Sequence, residues 1–112
     1  MERGEVWSVS FPLSGGREQS GERPALVVQD AAYGESSPLI LVVPLTSQLA
    51  ALRFPASVQI DPSDENGLSV SSVAMVFQTR ALDRSRFRNK LGEITEGDLG
   101  EILGELNRLT GQ

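Results

Sequence analysis

The chain has 112 residues, 39% hydrophobic and 22% charged, with a formal net charge of −5 and neither Cys nor His. That length holds one core, so a single domain over residues 1–112 is expected. Disulfides, thiolate metal sites and Ser-His-Asp catalysis are excluded by composition, and no metal or other cofactor is expected. No apolar run approaches the roughly 20 residues that span a bilayer, and the opening MERGEVWSV lacks the pattern of an export signal, so a soluble cytoplasmic protein is expected.

A negative chain looks poorly suited to polyanions, whose binding draws on Lys and Arg. The charge is unevenly spread, however: residues 1–90 carry 9 basic and 10 acidic side chains, whereas residues 91–112 carry 1 and 5. The excess acid lies mostly in the tail. Arg80, Arg84, Arg86, Arg88 and Lys90 form a basic run interrupted by Asp83, readable as a solvated face or as a phosphate-facing strip.

Glu5 to Phe11 alternates Val6, Ser8 and Ser10 with Trp7, Val9 and Phe11, predicting a half-buried strand at a sheet edge. Pro12 to Gly21, PLSGGREQSG, is rich in turn formers and reads as a loop longer than a hairpin needs. Ala25–Gln29 and Leu39–Leu45 are dense in Val, Leu and Ile, as expected of central strands covered on both faces. Ala56–Ile60 and Val70–Phe77 give further short strands, with a turn at DPSDENG between them. From Thr95 the period becomes helical through Leu99, Ile102, Leu103, Leu106 and Leu109, and Thr95 with Asp98 has the spacing of a capping box. Gly97, Gly100 and Gly104 weaken that helix and form a side suited to close packing. Short strands followed by one terminal helix predict a mainly β, α+β fold: a small bent sheet or partly open barrel with a helix against it.

Three strand ends carry polar heads. Arg23 precedes an apolar strand and is held extended by Pro24, an arrangement suited to gripping a phosphate bidentately; the residues alone favour the plainer reading, a structural ion pair with Glu18 or another carboxylate at the strand end. Thr46, in the segment PLTSQ with Ser47 and Gln48, is a hydroxyl at a turn, an ordinary strand terminator when taken alone. Gln78-Thr79-Arg80 joins an amide, a hydroxyl and a guanidinium.

Taken together, RGEVW, REQSGERP followed by ALVVQ, PLTSQ and QTRALDRSR, in this order from Arg3 to about Leu91, resemble the MazF/PemK toxins. The resemblance implies a small SH3-like, partly open barrel of the MazF/Kid/CcdB type. It also implies a homodimer and metal-independent, sequence-specific cleavage of single-stranded mRNA, neutralised by a MazE-like antitoxin with an acidic disordered segment. By position, Arg23 matches the catalytic arginine, Thr46 the catalytic hydroxyl and Glu18 a loop carboxylate needed by some members, while Gln19 and Gln78 match RNA-lining positions. Arg17, Ser47, Gln48 and Arg80 are expected beside them on the RNA. Two departures, Glu22 before the arginine and Arg17 in the loop, bear on substrate preference more than on activity. Competing readings are a CcdB-like inhibitor of a topoisomerase and a catalytically silent relative that only binds RNA or antitoxin.

Overall fold

In the computed structural model, which describes residues 1–12, 21–34 and 36–112, the chain begins with two long antiparallel strands, β1 (Glu5–Phe11) and β2 (Gly21–Val27). After one helical turn, α1 (Ala31–Gly34), comes the central strand β3 (Leu39–Thr46). The short strands β4 (Ser57–Ile60), β5 (Ser72–Met75) and β6 (Arg80–Asp83) precede β7 (Phe87–Glu93), and α2 (Glu96–Leu109) follows. They form one open seven-stranded antiparallel sheet in the order β4-β5-β3-β2-β1-β7, with β6 also paired to β3.

β3 organises this sheet because it meets two strands end to end along one side. Leu39 to Val42 pair with β6, whereas Leu45 and Thr46 pair with β5. The chain passes from β5 to β6 through a 3₁₀ turn, Val76–Gln78, opposite the gap. Pro44 lies where β3 has no partner on that side, a position that tolerates a residue without an N–H.

Burial on both faces follows from the dense Val/Leu/Ile runs. Alternate residues of β2, with Val28 just after it, and of β3 feed two buried clusters: Leu26, Val28, Val43 and Leu45 enter one, and Ala25, Val27, Ile40 and Val42 enter the other. The first cluster also receives Val58, Ile60, Ala74 and Ile102, so α2 covers this face. The second is closed by Val9, Phe11, Leu82 and Phe87.

Two expectations need correction. β1 is not a sheet edge, because it pairs with β2 on one side and β7 on the other; among the described residues the strands with a single partner are β4, β6 and β7. The unpredicted β7 has one buried residue, Phe87, in a sequence whose other residues are exposed or half-buried, and an edge strand of that composition shows no period-two signal. The basic run, finally, contains β6 and the start of β7. Arg84 and Arg86 donate to the carbonyls of Ser37 and Ser10, and Arg88 to Ser85, so these guanidiniums clamp neighbouring backbone.

Helix α2 starts where the capping pattern places it: the Thr95 hydroxyl accepts from the Asp98 N–H at 3.1 Å, and Glu96 and Asp98 lie at the electropositive N-terminus. Ile102 is fully buried, with Leu99, Leu103 and Leu106 packed beside it. The glycine side is not a close-packing face among the described residues: a Cβ at Gly100 or Gly104 would meet nothing within 4 Å. Gly100→Ala should therefore stabilise the fold by about 0.5–1 kcal/mol, measured by urea titration, because Ala is the better helix former and fills open space. A loss of stability would show that this face is covered.

β1 and β7 are also joined by a charged cluster. Glu5 is nearly buried, accepts from the Trp7 indole N–H at 2.8 Å and lies 3.4 Å from the Lys90 ammonium, which also bonds Glu93 at 3.0 Å. Burial pushes the Glu5 carboxyl up, but the Trp7 donor, the Glu2 backbone and Lys90 together outweigh it and hold it below its ordinary value of 4.5. A depressed carboxylate stabilises the fold above its unfolded pKa, and that stabilisation is lost as pH falls through the folded value. Glu5→Gln should thus be less stable than the parent at pH 7, and the gap should close as the pH falls below 4.5. An equal gap at both pH values in urea titrations would remove Glu5 from the acid response.

Candidate active site

The β2–β3 register brings two of the predicted residues together. Ala25 pairs with Pro44 at the end of the β2–β3 ladder, and Arg23 and Thr46 lie two residues beyond that pair, each on its own strand. Side chains two apart share a face, which puts both on the side carrying Ala25. Arg23 is also paired with Val9, and Thr46 with Val73, so both stand within the sheet, whose neighbours limit their freedom. Arg23 lies inside β2, two residues after its start, where sequence patterning put it ahead of the strand.

Both residues are half-buried and line one groove of about 640 Å³. Ser47, Gln48 and Gln78 line it too. The Thr46 hydroxyl oxygen accepts from the Gln48 N–H at 3.1 Å, which ties the strand end to the turn and leaves the hydroxyl proton available to donate. Gln78 ends the 3₁₀ turn between β5 and β6. The partner break along β3 thus delivers an amide from one side, while β2 supplies the guanidinium from the other.

Arg80 is not among the groove residues; its guanidinium lies over the Phe11 ring at 5.9 Å. Arg17, Glu18 and Gln19 lie outside the described residues. Of the aromatic side chains, Trp7 packs edge-on against Phe87 at 6.1 Å and Phe54 against Phe77 at 5.3 Å, while Tyr33 is 70% exposed; none lines the groove.

Sequence reasoning missed one wall, made by Gly67, Leu68, Ser69 and Val70 with Leu91 of β7. Asn66 shapes this loop: its buried side-chain oxygen accepts from the Ser63 and Leu68 N–H groups, each at 3.0 Å, and its amide donates to the Asp61 carbonyl at 2.9 Å. Gly67, at φ +70°, then passes so near β7 that a Cβ there would lie 2.1 Å from the Leu91 carbonyl oxygen. At Gly92 a Cβ would meet the Glu65 carbonyl oxygen at the same distance. The Asn-Gly pair in DPSDENG signals a turn, but a local pattern carries no sign of the strand it touches.

Glu22 also lines the groove, and the Ser8 hydroxyl donates to its carboxylate at 2.8 Å.

A small open antiparallel sheet capped by a terminal helix matches known toxins. A family model described as PemK-like, MazF-like toxin of type II toxin-antitoxin system covers residues 2–110, and the chain belongs to that family. Endoribonuclease PemK of Escherichia coli is 35% identical over 113 residues, covering 97% of this chain and 81% of the relative. Among solved structures, MazF from Deinococcus radiodurans is 35% identical with a TM-score of 0.80, over 100% of this chain and 97% of that one. A MazE-MazF structure from the same organism is 32% identical with a TM-score of 0.77, over 100% and 96%.

Proposed function

We propose that the chain is an endoribonuclease toxin that cuts single-stranded RNA without a metal, with Arg23 and Thr46 acting on the scissile phosphate. The observation that carries this reading is that a guanidinium and a hydroxyl on adjacent strands, each two residues beyond the Ala25–Pro44 pair, line one groove. Cleavage by the RNA's own 2′-OH needs in-line geometry, stabilisation of a phosphorane and two proton transfers. The 2′ oxygen forms a bond to phosphorus as its proton passes to a base. The bond to the 5′ oxygen breaks and that oxygen takes a proton, leaving a 2′,3′-cyclic phosphate and a 5′-hydroxyl.

In this scheme Arg23 binds the nonbridging oxygens and donates toward the leaving oxygen, while Thr46 orients the phosphate. A guanidinium has donors and no acceptor, so proton abstraction falls to another group. Glu18 is the proposed base; a Glu18→Gln variant with an unchanged pH–rate profile would remove it from the mechanism. Ser47, Gln48 and Gln78 hold the flanking RNA. A homodimer, a cytoplasmic setting and neutralisation by a separate antitoxin complete the reading, supported by membership in the family and by the MazE-MazF relative.

Incubating the protein with a long unstructured RNA in EDTA and mapping the new ends tests this. Discrete cuts with 5′-hydroxyl ends are expected. Intact RNA alongside a poisoned gyrase would instead establish the CcdB-like reading.

A further inference from the structure

We infer that Glu22 is a specificity residue that reads a base carrying an exocyclic amino group beside the scissile phosphate; this rests on the nuclease reading above. The first observation is chemical. Glu22 lines the same groove as Arg23, yet it is a carboxylate in a channel assigned to a polyanion. It repels phosphate, and in the groove it is matched to a part of the nucleotide that donates hydrogen bonds. Those donors are the amino groups and ring N–H groups of the bases, whose Watson–Crick edges are open in a single strand.

The second observation is geometric. Consecutive strand residues point to opposite faces, so Glu22 shares a side with Pro24 and Leu26, whereas Arg23 shares its side with Ala25. The carboxylate is therefore directed away from the phosphate held by Arg23 and Thr46, and acts on a neighbouring part of the RNA.

Third, the side chain is braced. The Ser8 hydroxyl donates to one carboxylate oxygen at 2.8 Å across the β1–β2 pair, which orients the group and leaves the other oxygen to accept. A preoriented acceptor discriminates better than a floppy one, since less ordering is needed when the base arrives. Cytosine, adenine and guanine each present an amino group to such an oxygen. Uracil presents carbonyl oxygens on both sides of a single N–H, and these repel a carboxylate.

The test is end-mapping of a random-sequence RNA pool cut by the wild type, Glu22→Gln and Ser8→Ala. The wild type should disfavour uracil at one position next to the cut, and the identity of the favoured base distinguishes the three amino-bearing candidates. Glu22→Gln, which can donate as well as accept, should raise cutting at uracil-containing sites about tenfold relative to the others, within the usual range for one base contact. Ser8→Ala should relax the same position more weakly. Identical cut-site preferences in wild type and Glu22→Gln, or a rate change uniform over all sites, would overturn the assignment while leaving the nuclease intact. A pool left uncut by the wild type would overturn both.

Discussion

Arg23→Ala is expected to slow RNA cleavage by about 10²- to 10³-fold, while binding of a short RNA with a 2′-deoxy block at the cut site weakens far less. The asymmetry follows from where charge develops. In the ground state the phosphodiester bears one negative charge that any groove cation can meet, whereas the phosphorane adds charge on oxygens that only a correctly placed donor reaches. Arg23 sits within β2, paired on one side with Val9 and two residues beyond the Ala25–Pro44 pair on the other, so its reach is set by the sheet. Arg23→Lys should recover little, because a compact ammonium cannot bridge two oxygens as a planar guanidinium does. Single-turnover cleavage beside equilibrium binding is the decisive measurement. Equal losses in rate and affinity would make Arg23 a binding residue and would favour the catalytically silent relative.

Gly67→Ala should destabilise the fold by about 2–5 kcal/mol, the sum of a left-handed backbone penalty and an overpacked contact. The φ of +70° disfavours any side chain, and the Cβ would lie 2.1 Å from backbone that cannot rotate away. Relief requires the 61–70 loop to lift from β7, and with it goes the groove wall formed by Gly67 to Val70 and Leu91. Cleavage should therefore fall even where the variant remains folded. The contrast with Gly100, whose replacement fills open space, separates a glycine required by contact from one that merely weakens a helix. A Gly67→Ala midpoint within about 0.5 kcal/mol of the parent would show that loop and strand part easily.

These glycines also show what the sequence could reveal. Helix α2, its Thr95 cap and its buried Ile102 were legible because each depends on spacing within a few residues. So were β2 and β3, whose dense apolar runs meet cover on both faces. β6 and β7 were not, because an edge strand such as FRNKLGE buries only Phe87 and is defined by hydrogen bonds to β1, about which its own side chains say little. Arg23 and Thr46 emerged through the four ordered motifs of the resemblance; patterning alone left a structural ion pair and a strand terminator as sufficient accounts. Their common row was hidden because it depends on the register between β2 and β3. Glu22 stood out in sequence only as a departure from the family pattern, and its meaning depended on the Ser8 brace across the strand pair.

The acidic residues of α2 bear on how quickly a substrate arrives. The helix supplies none of the groove's walls, yet Glu96, Asp98, Glu101 and Glu105 give it a concentrated negative field. Long polyanions approaching that side are turned away before contact, so productive encounters are restricted in direction. Added salt shortens the range of this repulsion to about 10 Å at 0.1 M and widens the cone of approach, even as it weakens the phosphate contacts themselves. Association rates for RNA should consequently vary with ionic strength through both effects.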